Sequence, residues 1–127
     1  CIVLSIDAKR TGDTWHAYIN GGRIDAEIDA IEWAKEGEQR GAGEILLNSI
    51  DMDGMKQGYD LELTRTVAES VGIPVIASGG AGTLEQMYEA IAIGKGDAVL
   101  LASLLHYGEF TIDDIKKFLK QKGVCIR

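Results

Sequence analysis

The sequence predicts an α/β fold: the (β/α)4 half of a (β/α)8 TIM barrel, with parallel strands and a β-hairpin inserted after the first strand. Three observations carry this reading. Short apolar runs alternate with amphipathic helical patterns along the chain. The runs are nearly continuous in apolar residues, as expected of parallel strands covered on both faces. Glycine- and serine-containing loops follow the last two runs, where barrel enzymes commonly hold a phosphate.

The first strand is predicted over Ile2–Asp7, the second over Ile45–Ser49, the third over Val75–Ser78 after Pro74, and the fourth over Ala98–Ala102. Between them, Asp25–Arg40 places Ile28, Ile31 and Ala34 at helical spacing, with Trp33 nearby. Asp60–Ser70 does so with Leu63, Val67 and Ala68, Thr83–Ile93 with Met87, Ala90 and Ile91, and Thr111–Gln121 with Ile112, Ile115, Phe118 and Leu119. Thr111 followed by Asp114 has the form of a helix N-terminal box. Gly94 and Gly123 are natural helix stops. The alternation implies right-handed crossovers and a parallel sheet. One segment interrupts it. Lys9–Arg23 is turn-rich, with Thr11-Gly12-Asp13 and Asn20-Gly21-Gly22-Arg23 flanking the strand-like Trp15-His16-Ala17-Tyr18-Ile19, the pattern of an inserted hairpin. Ser-Ile-Asp ends both the first and the second strand regions, a weak internal echo that short buried strands also produce by chance. No low-complexity stretch or linker divides the 127 residues, which are expected to form a single half-barrel domain.

Composition narrows the function classes. The chain is 46% hydrophobic and 26% charged, with a formal net charge of −7. That balance argues against a nucleic-acid or membrane-surface partner, either of which favours basic patches. It leaves an anionic substrate possible, because backbone N–H groups bind phosphate without net positive charge. No apolar run approaches the roughly 20 residues of a membrane span. The start, Cys1-Ile2-Val3-Leu4-Ser5-Ile6-Asp7, lacks the basic region of a signal peptide. A start inside an apolar strand without an initiator Met is what a piece of a longer chain shows. Cys1 and Cys125 have no CxxC or Cys/His neighbour, so no metal is expected, and no cofactor is implied. So few cysteines fit a reducing cytoplasm. The sequence leaves a bridge between them open. His16 and His106 have no metal-ligand spacing, and His106 is expected at the surface near the phosphate loops. Trp15 and Trp33 read as packing residues.

The glycine placement favours a half-barrel over a small doubly wound sheet. The third strand runs into Ser78-Gly79-Gly80-Ala81-Gly82, and the fourth ends in Leu101-Ala102-Ser103. Glycines let backbone approach an anion closely, and a following helix aims N–H groups at it. Gly79, Gly80, Ala102 and Ser103 are therefore the candidate phosphate site. A bare tight turn at Gly79-Gly80 is the competing reading. The first strand is followed by Ala8-Lys9-Arg10, where a dinucleotide fold would carry glycines. Asp7, ending that strand, points into the mouth of the barrel, where catalysis sits; a carboxylate that only bonds Lys9 or the loop backbone is the competing reading. Asn48 and Ser78 point from strand ends toward the same mouth as hydrogen-bonding groups. Asp51 is read equally well as a residue that orders its turn.

Six segments in register carry a family resemblance: Asp7-Ala8-Lys9-Arg10, Arg40-Gly41-Ala42-Gly43-Glu44-Ile45-Leu46-Leu47, Ser49-Ile50-Asp51-Met52-Asp53-Gly54, Gly58-Tyr59-Asp60, Ile76-Ala77-Ser78-Gly79-Gly80-Ala81-Gly82 and Leu101-Ala102-Ser103. Over essentially the whole chain they resemble the carboxyl-terminal half of the cyclase subunit of imidazole glycerol phosphate synthase, from histidine biosynthesis. The isomerase of that pathway shares the barrel and two of the loops, but Gly58-Tyr59-Asp60 and Gly80-Ala81-Gly82 favour the cyclase. The resemblance implies a lyase that takes ammonia and a phosphoribulosyl-formimino aminoimidazole carboxamide nucleotide. It closes an imidazole ring and releases a second nucleotide fragment. It implies Asp7 as catalytic acid/base, Asp53 and Gly54 in a substrate-contacting loop, and Gly79, Gly80, Ala102 and Ser103 at a terminal phosphate. Glu44 would belong to a charged ring that admits ammonia from a glutaminase subunit. The amino-terminal half would supply a second catalytic aspartate, a second phosphate site and the rest of the gate. The isolated half is then expected to bind phosphate, to cyclise poorly or not at all, and to bury its open interior by forming a homo-oligomer or pairing with the missing half. Two other readings compete: a non-catalytic phosphate-binding half-barrel, and a module that docks a glutaminase through the Glu44 face.

Overall fold

In the computed structural model, which describes residues 2–52, 58–80, 83–99 and 111–124, the apolar runs become neighbouring strands. In chain order the elements are β1 (Val3–Thr11), β2 (Thr14–Ile19), β3 (Ile24–Asp29), α1 (Ala30–Gln39), β4 (Glu44–Ser49), α2 (Leu61–Ser70), β5 (Val75–Ser78), α3 (Leu84–Ala92), β6 (Ala98–Val99) and α4 (Ile112–Gln121). They build a six-stranded sheet in the order β3-β2-β1-β4-β5-β6. The pairs β1–β4, β4–β5 and β5–β6 are parallel, whereas β1–β2 and β2–β3 are antiparallel. The predicted (β/α)4 order is thus present, with an antiparallel extension attached to its first strand. The predicted remainder of the fourth strand, Leu100–Ala102, lies outside the described residues.

Two boundaries among the described residues differ from the sequence reading by more than one residue, and one cause accounts for both. The first strand runs four residues beyond Asp7, and the helix predicted from Asp25 begins at Ala30. Both differences follow from the hairpin being a three-strand meander. Asp7–Thr11 pairs with Thr14–Tyr18, and β2 then pairs with β3. Two aspartates competed as the helix N-cap. Asp25 is engaged by His16, whose Nδ1 lies 3.0 Å from Asp25 Oδ2. Asp29 starts the helix instead, its Oδ1 accepting from Ile31 N at 2.9 Å and Glu32 N at 3.1 Å. Asp25–Asp29, read as helix, belongs to β3 and is strand up to that cap. The Thr111–Asp114 capping box forms as predicted, and Thr83 with Gln86 makes a second. Gly123 takes the left-handed conformation that ends α4, whereas after α3 Lys95, not Gly94, has positive φ.

Asp29 also ties the meander to α1, because Thr14 Oγ1 donates to its Oδ2 at 2.7 Å. Burial pulls the Asp29 carboxyl pKa up, but the Thr14 hydroxyl and the Glu32 and Ile31 N–H groups outweigh it and hold it below its ordinary value. Asp29→Ala should lower stability by about 1 kcal/mol, read as a fall in Tm. A depressed folded-state pKa means a contribution fully present above the unfolded pKa of about 3.9 and lost as pH falls through the folded value. The Tm difference between wild type and variant should therefore shrink on acidification.

Strand register divides the sheet into two unlike faces. Ile6, Ala8, Ile45, Leu47, Val75 and Ala77 point to one side and are at most 2% exposed. There α1 and α2 cover them through Ala30, Ala34, Leu63 and Val67. A second cluster joins Ala77 to Met87 and Ala90 of α3 and to Ile115 and Leu119 of α4. The helices pack on one another in sequence, α1 on α2, α2 on α3 and α3 on α4, so they form one layer. Among the described residues, no helix packs on the opposite face. The expectation of strands covered on both faces is met only on this side, because a barrel interior is filled by the strands of its other half. Val3 at 49% exposure marks the consequence on the open face. Away from β4, β1 pairs with β2 only from Asp7 onward. Among the described residues, Val3–Ile6 therefore present a free strand edge.

Candidate active site at the carboxyl ends of the parallel strands

The open face is layered by the parallel register. Val3 lies beside Glu44 at the amino ends of the strands. Ser5, Leu46, Ile76 and Ala98 form the next row. Asp7, Asn48 and Ser78 form the row at the carboxyl ends. Residues aligned this way project to the same side. Three positions singled out separately in the sequence therefore share one row, and Glu44 sits at the far end of the same face.

Within the top row, Asn48 Nδ2 donates to Asp7 Oδ1 at 3.3 Å. This contact draws the carboxylate toward β4. Asp7 is half-buried, and lies at the end of the parallel part of β1, which pairs with β4 through Ala8. A carboxylate, an amide and the Ser78 hydroxyl in one row can exchange a proton with a substrate and orient it by hydrogen bonds. Asp51 has a structural role here: its Oδ2 accepts from Arg10 N at 2.8 Å, fastening the loop after β4 to the upper part of β1.

The glycines after β5 are required by their neighbours. Gly79 and Gly80 have φ of +93° and +102°. A Cβ on Gly79 would stand 2.7 Å from the Ser49 carbonyl oxygen and 3.0 Å from Asn48 Oδ1, and one on Gly80 would overlap the Gly58 carbonyl oxygen. Gly58 N donates to Gly80 O at 2.7 Å, latching the segment before α2 to the segment before α3. Beyond the latch, Tyr59 is 4% exposed, and burial pushes its phenol pKa up. Asp60 caps α2, accepting from Leu63 N at 3.0 Å. The glycine pair brings backbone from the two loops after β4 and β5 together, and glycine backbone of this kind leaves room for an anion to approach N–H groups.

The predicted positions Asp53, Gly54, Ala102 and Ser103 lie outside the described residues, as do His106, Cys1 and Cys125. Among the described residues no group of His, Cys, Asp and Glu is placed to hold a metal ion, and no helix is long and apolar enough to cross a membrane. Above Asp7 the meander adds groups that sequence reading assigned no role at the site. Lys9 lies two residues along β1 from Asp7, and Tyr18 is the cross-strand partner of Asp7. Only the antiparallel register brings them to this rim, although the Asp7-Ala8-Lys9-Arg10 motif had already drawn attention to the lysine.

An open half-barrel with a polar row at its strand carboxyl ends is the architecture of one half of a (β/α)8 barrel. Comparison with known proteins agrees: the family model described as "Histidine biosynthesis protein" matches residues 1–111, and the chain belongs to that family. It is 59% identical, over its whole length, to the imidazole glycerol phosphate synthase subunit HisF of Lachnoclostridium phytofermentans, covering 50% of that protein. The chain thus spans about half the length of the curated relative it matches, and its motifs fit the carboxyl-terminal half.

Proposed function

We propose that residues 1–127 are one half-barrel domain, the carboxyl-terminal half of a cyclase of the imidazole glycerol phosphate synthase type. With an amino-terminal half it converts a phosphoribulosyl-formimino aminoimidazole carboxamide nucleotide and ammonia to imidazole glycerol phosphate and an aminoimidazole carboxamide ribotide. The observation that carries this reading is the Asp7–Asn48 contact at the carboxyl end of the open face, in a chain 59% identical to a protein named as a subunit of that synthase. Asp7 acts as the proton acceptor or donor on one side of the substrate. Asn48 and Ser78 orient the substrate, together with Asp53 and Gly54. Gly79, Gly80, Ala102 and Ser103 hold a terminal phosphate.

Ring closure needs a second proton-transfer group facing Asp7, and the open face leaves its place to the other half. The free edge at Val3–Ile6 and the uncovered interior make the same demand. Alone, the chain satisfies it by forming a homo-oligomer. Glu44, at the amino-end row, belongs to the entrance for ammonia delivered by a glutaminase subunit. The reaction needs no cofactor or metal, involves no nucleic acid or membrane, and takes place in the cytoplasm.

The test is ammonia-dependent turnover of the nucleotide by the chain alone, and by the chain mixed with the amino-terminal half of the Lachnoclostridium phytofermentans relative. The expected result is little or no turnover alone and ready turnover in the mixture. A mixture that binds phosphate yet never cyclises would make this a non-catalytic phosphate-binding half-barrel.

A further inference from the structure

Lys9 is a cation beside the candidate site that forms no ion pair among the described residues. It follows Asp7 by two positions on β1 and faces the same side. Its register partner is His16, while Tyr18 is paired with Asp7. The Lys9 ammonium nevertheless lies over the Tyr18 ring, 5.9 Å from its centre. The side chain thus leans back along the strand, bringing its charge toward the level of Asp7.

The carboxylates around it are engaged elsewhere. Asp25 is held by His16 at 3.0 Å and by Glu27 N at 2.8 Å, and these two bonds hold its pKa below the ordinary value. Asp29 receives the Thr14 hydroxyl and two helix N–H groups. Asp51 is occupied by Arg10 N and Asp7 by Asn48. Among the described residues no carboxylate forms an ion pair with Lys9. The adjacent Arg10 differs: it pairs with Glu62 at 3.0 Å and stacks 4.9 Å from the Trp15 ring centre, and so has a structural task.

In a chain of net charge −7, an ammonium at the rim of a polar face, with no ion pair among the described residues, attracts anions locally. We propose that Lys9, held by the Tyr18 ring, is an anion-binding residue of the rim that draws in and orients a phosphorylated substrate above Asp7. This rests on the cyclase reading for its substrate, though not for the anion site itself. Lys9 touches the substrate's phosphate as a point charge. Tyr18 is a positioning residue that acts through Lys9.

Two measurements on the Lys9→Met variant test this. In the chain completed with an amino-terminal half, KM for the nucleotide should rise about ten-fold with kcat within about two-fold, the pattern of lost binding rather than lost chemistry. The fall of kcat/KM with added salt should flatten, because the steering charge is gone. Lys120→Met on α4 should change neither. Tyr18→Leu should reproduce part of the KM rise, and Tyr18→Phe, which keeps the ring, should recover most of it. Separately, inorganic phosphate is titrated into the chain itself and followed on the Lys9 and Tyr18 NMR signals. Those signals should shift in the wild type, and phosphate affinity should fall in Lys9→Met. If the completed barrel proves inactive, the cyclase reading fails while the phosphate titration still decides the anion site. Unchanged phosphate affinity, or a loss confined to kcat, would overturn the proposal.

Discussion

Asp7→Asn should reduce ammonia-dependent turnover of the completed barrel by about 100- to 10,000-fold, the range expected when a general acid/base is removed. The substitution suits the test because Asn48 donates to Asp7 Oδ1, and the amide oxygen of an asparagine can accept the same bond. Fold and substrate affinity should therefore persist while the proton-transfer group is lost, so that kcat falls and KM stays close to its original value. Asn48→Ala should cost less, since it removes the group that aims the carboxylate and spares the carboxylate itself. Steady-state kinetics with circular dichroism as a folding control reads all of this. Undiminished turnover in Asp7→Asn would remove Asp7 from the chemistry.

Gly80→Ala should have the largest effect on the loops. A Cβ there would overlap the Gly58 carbonyl oxygen and approach Met52 Cβ at 2.9 Å, with φ at +102°. The obstructing oxygen belongs to backbone rather than to a flexible side chain, so the loop must move. The Gly58 N to Gly80 O bond is then lost or distorted. We expect a loss of about 2 kcal/mol or more in stability and at least a ten-fold loss of phosphate affinity. Gly12→Ala is the matched control. Its φ is +64° with nothing within 4 Å of the added Cβ, so it should cost about 1 kcal/mol from conformation alone and leave phosphate binding unchanged. Thermal unfolding and a phosphate titration separate the two. Equal effects of the two substitutions would show that the Gly80 latch does not matter.

The two substitutions also mark how far the sequence could be read. Short-range signals were legible. Val75–Ser78 is a strand with the predicted bounds, and Thr111 with Asp114 closes the predicted box. The helix start at Asp29 was not, because Asp25 offers the same capping chemistry. Only the meander, by placing His16 beside Asp25, decides between them. The Thr83–Gln86 box escaped because a glutamine does there what a carboxylate does at Asp114.

For the site, Asp7, Asn48 and Ser78 were each visible as polar residues ending apolar runs. Their alignment in one row is a property of strand register, which depends on partners dozens of residues away. The glycine pair was visible as a flexible loop, but its reason was not: the atoms that exclude a Cβ belong to Gly58 and Ser49. Lys9 and Tyr18 come together only through the antiparallel pairing of β1 with β2.

The central claim is that the site lies on the open face of a half-barrel and becomes complete when a second half adds to the free edge of β1. Amide hydrogen exchange at Val3–Ile6 tests it most directly, with the chain dilute enough to be monomeric and then with an amino-terminal half added. The amides of that stretch not bonded to β4 should exchange rapidly in the lone chain. They should gain protection of about 100-fold or more on mixing, in step with the appearance of turnover. Exchange that stays unchanged on mixing, or turnover that appears without new protection at that edge, would contradict the account.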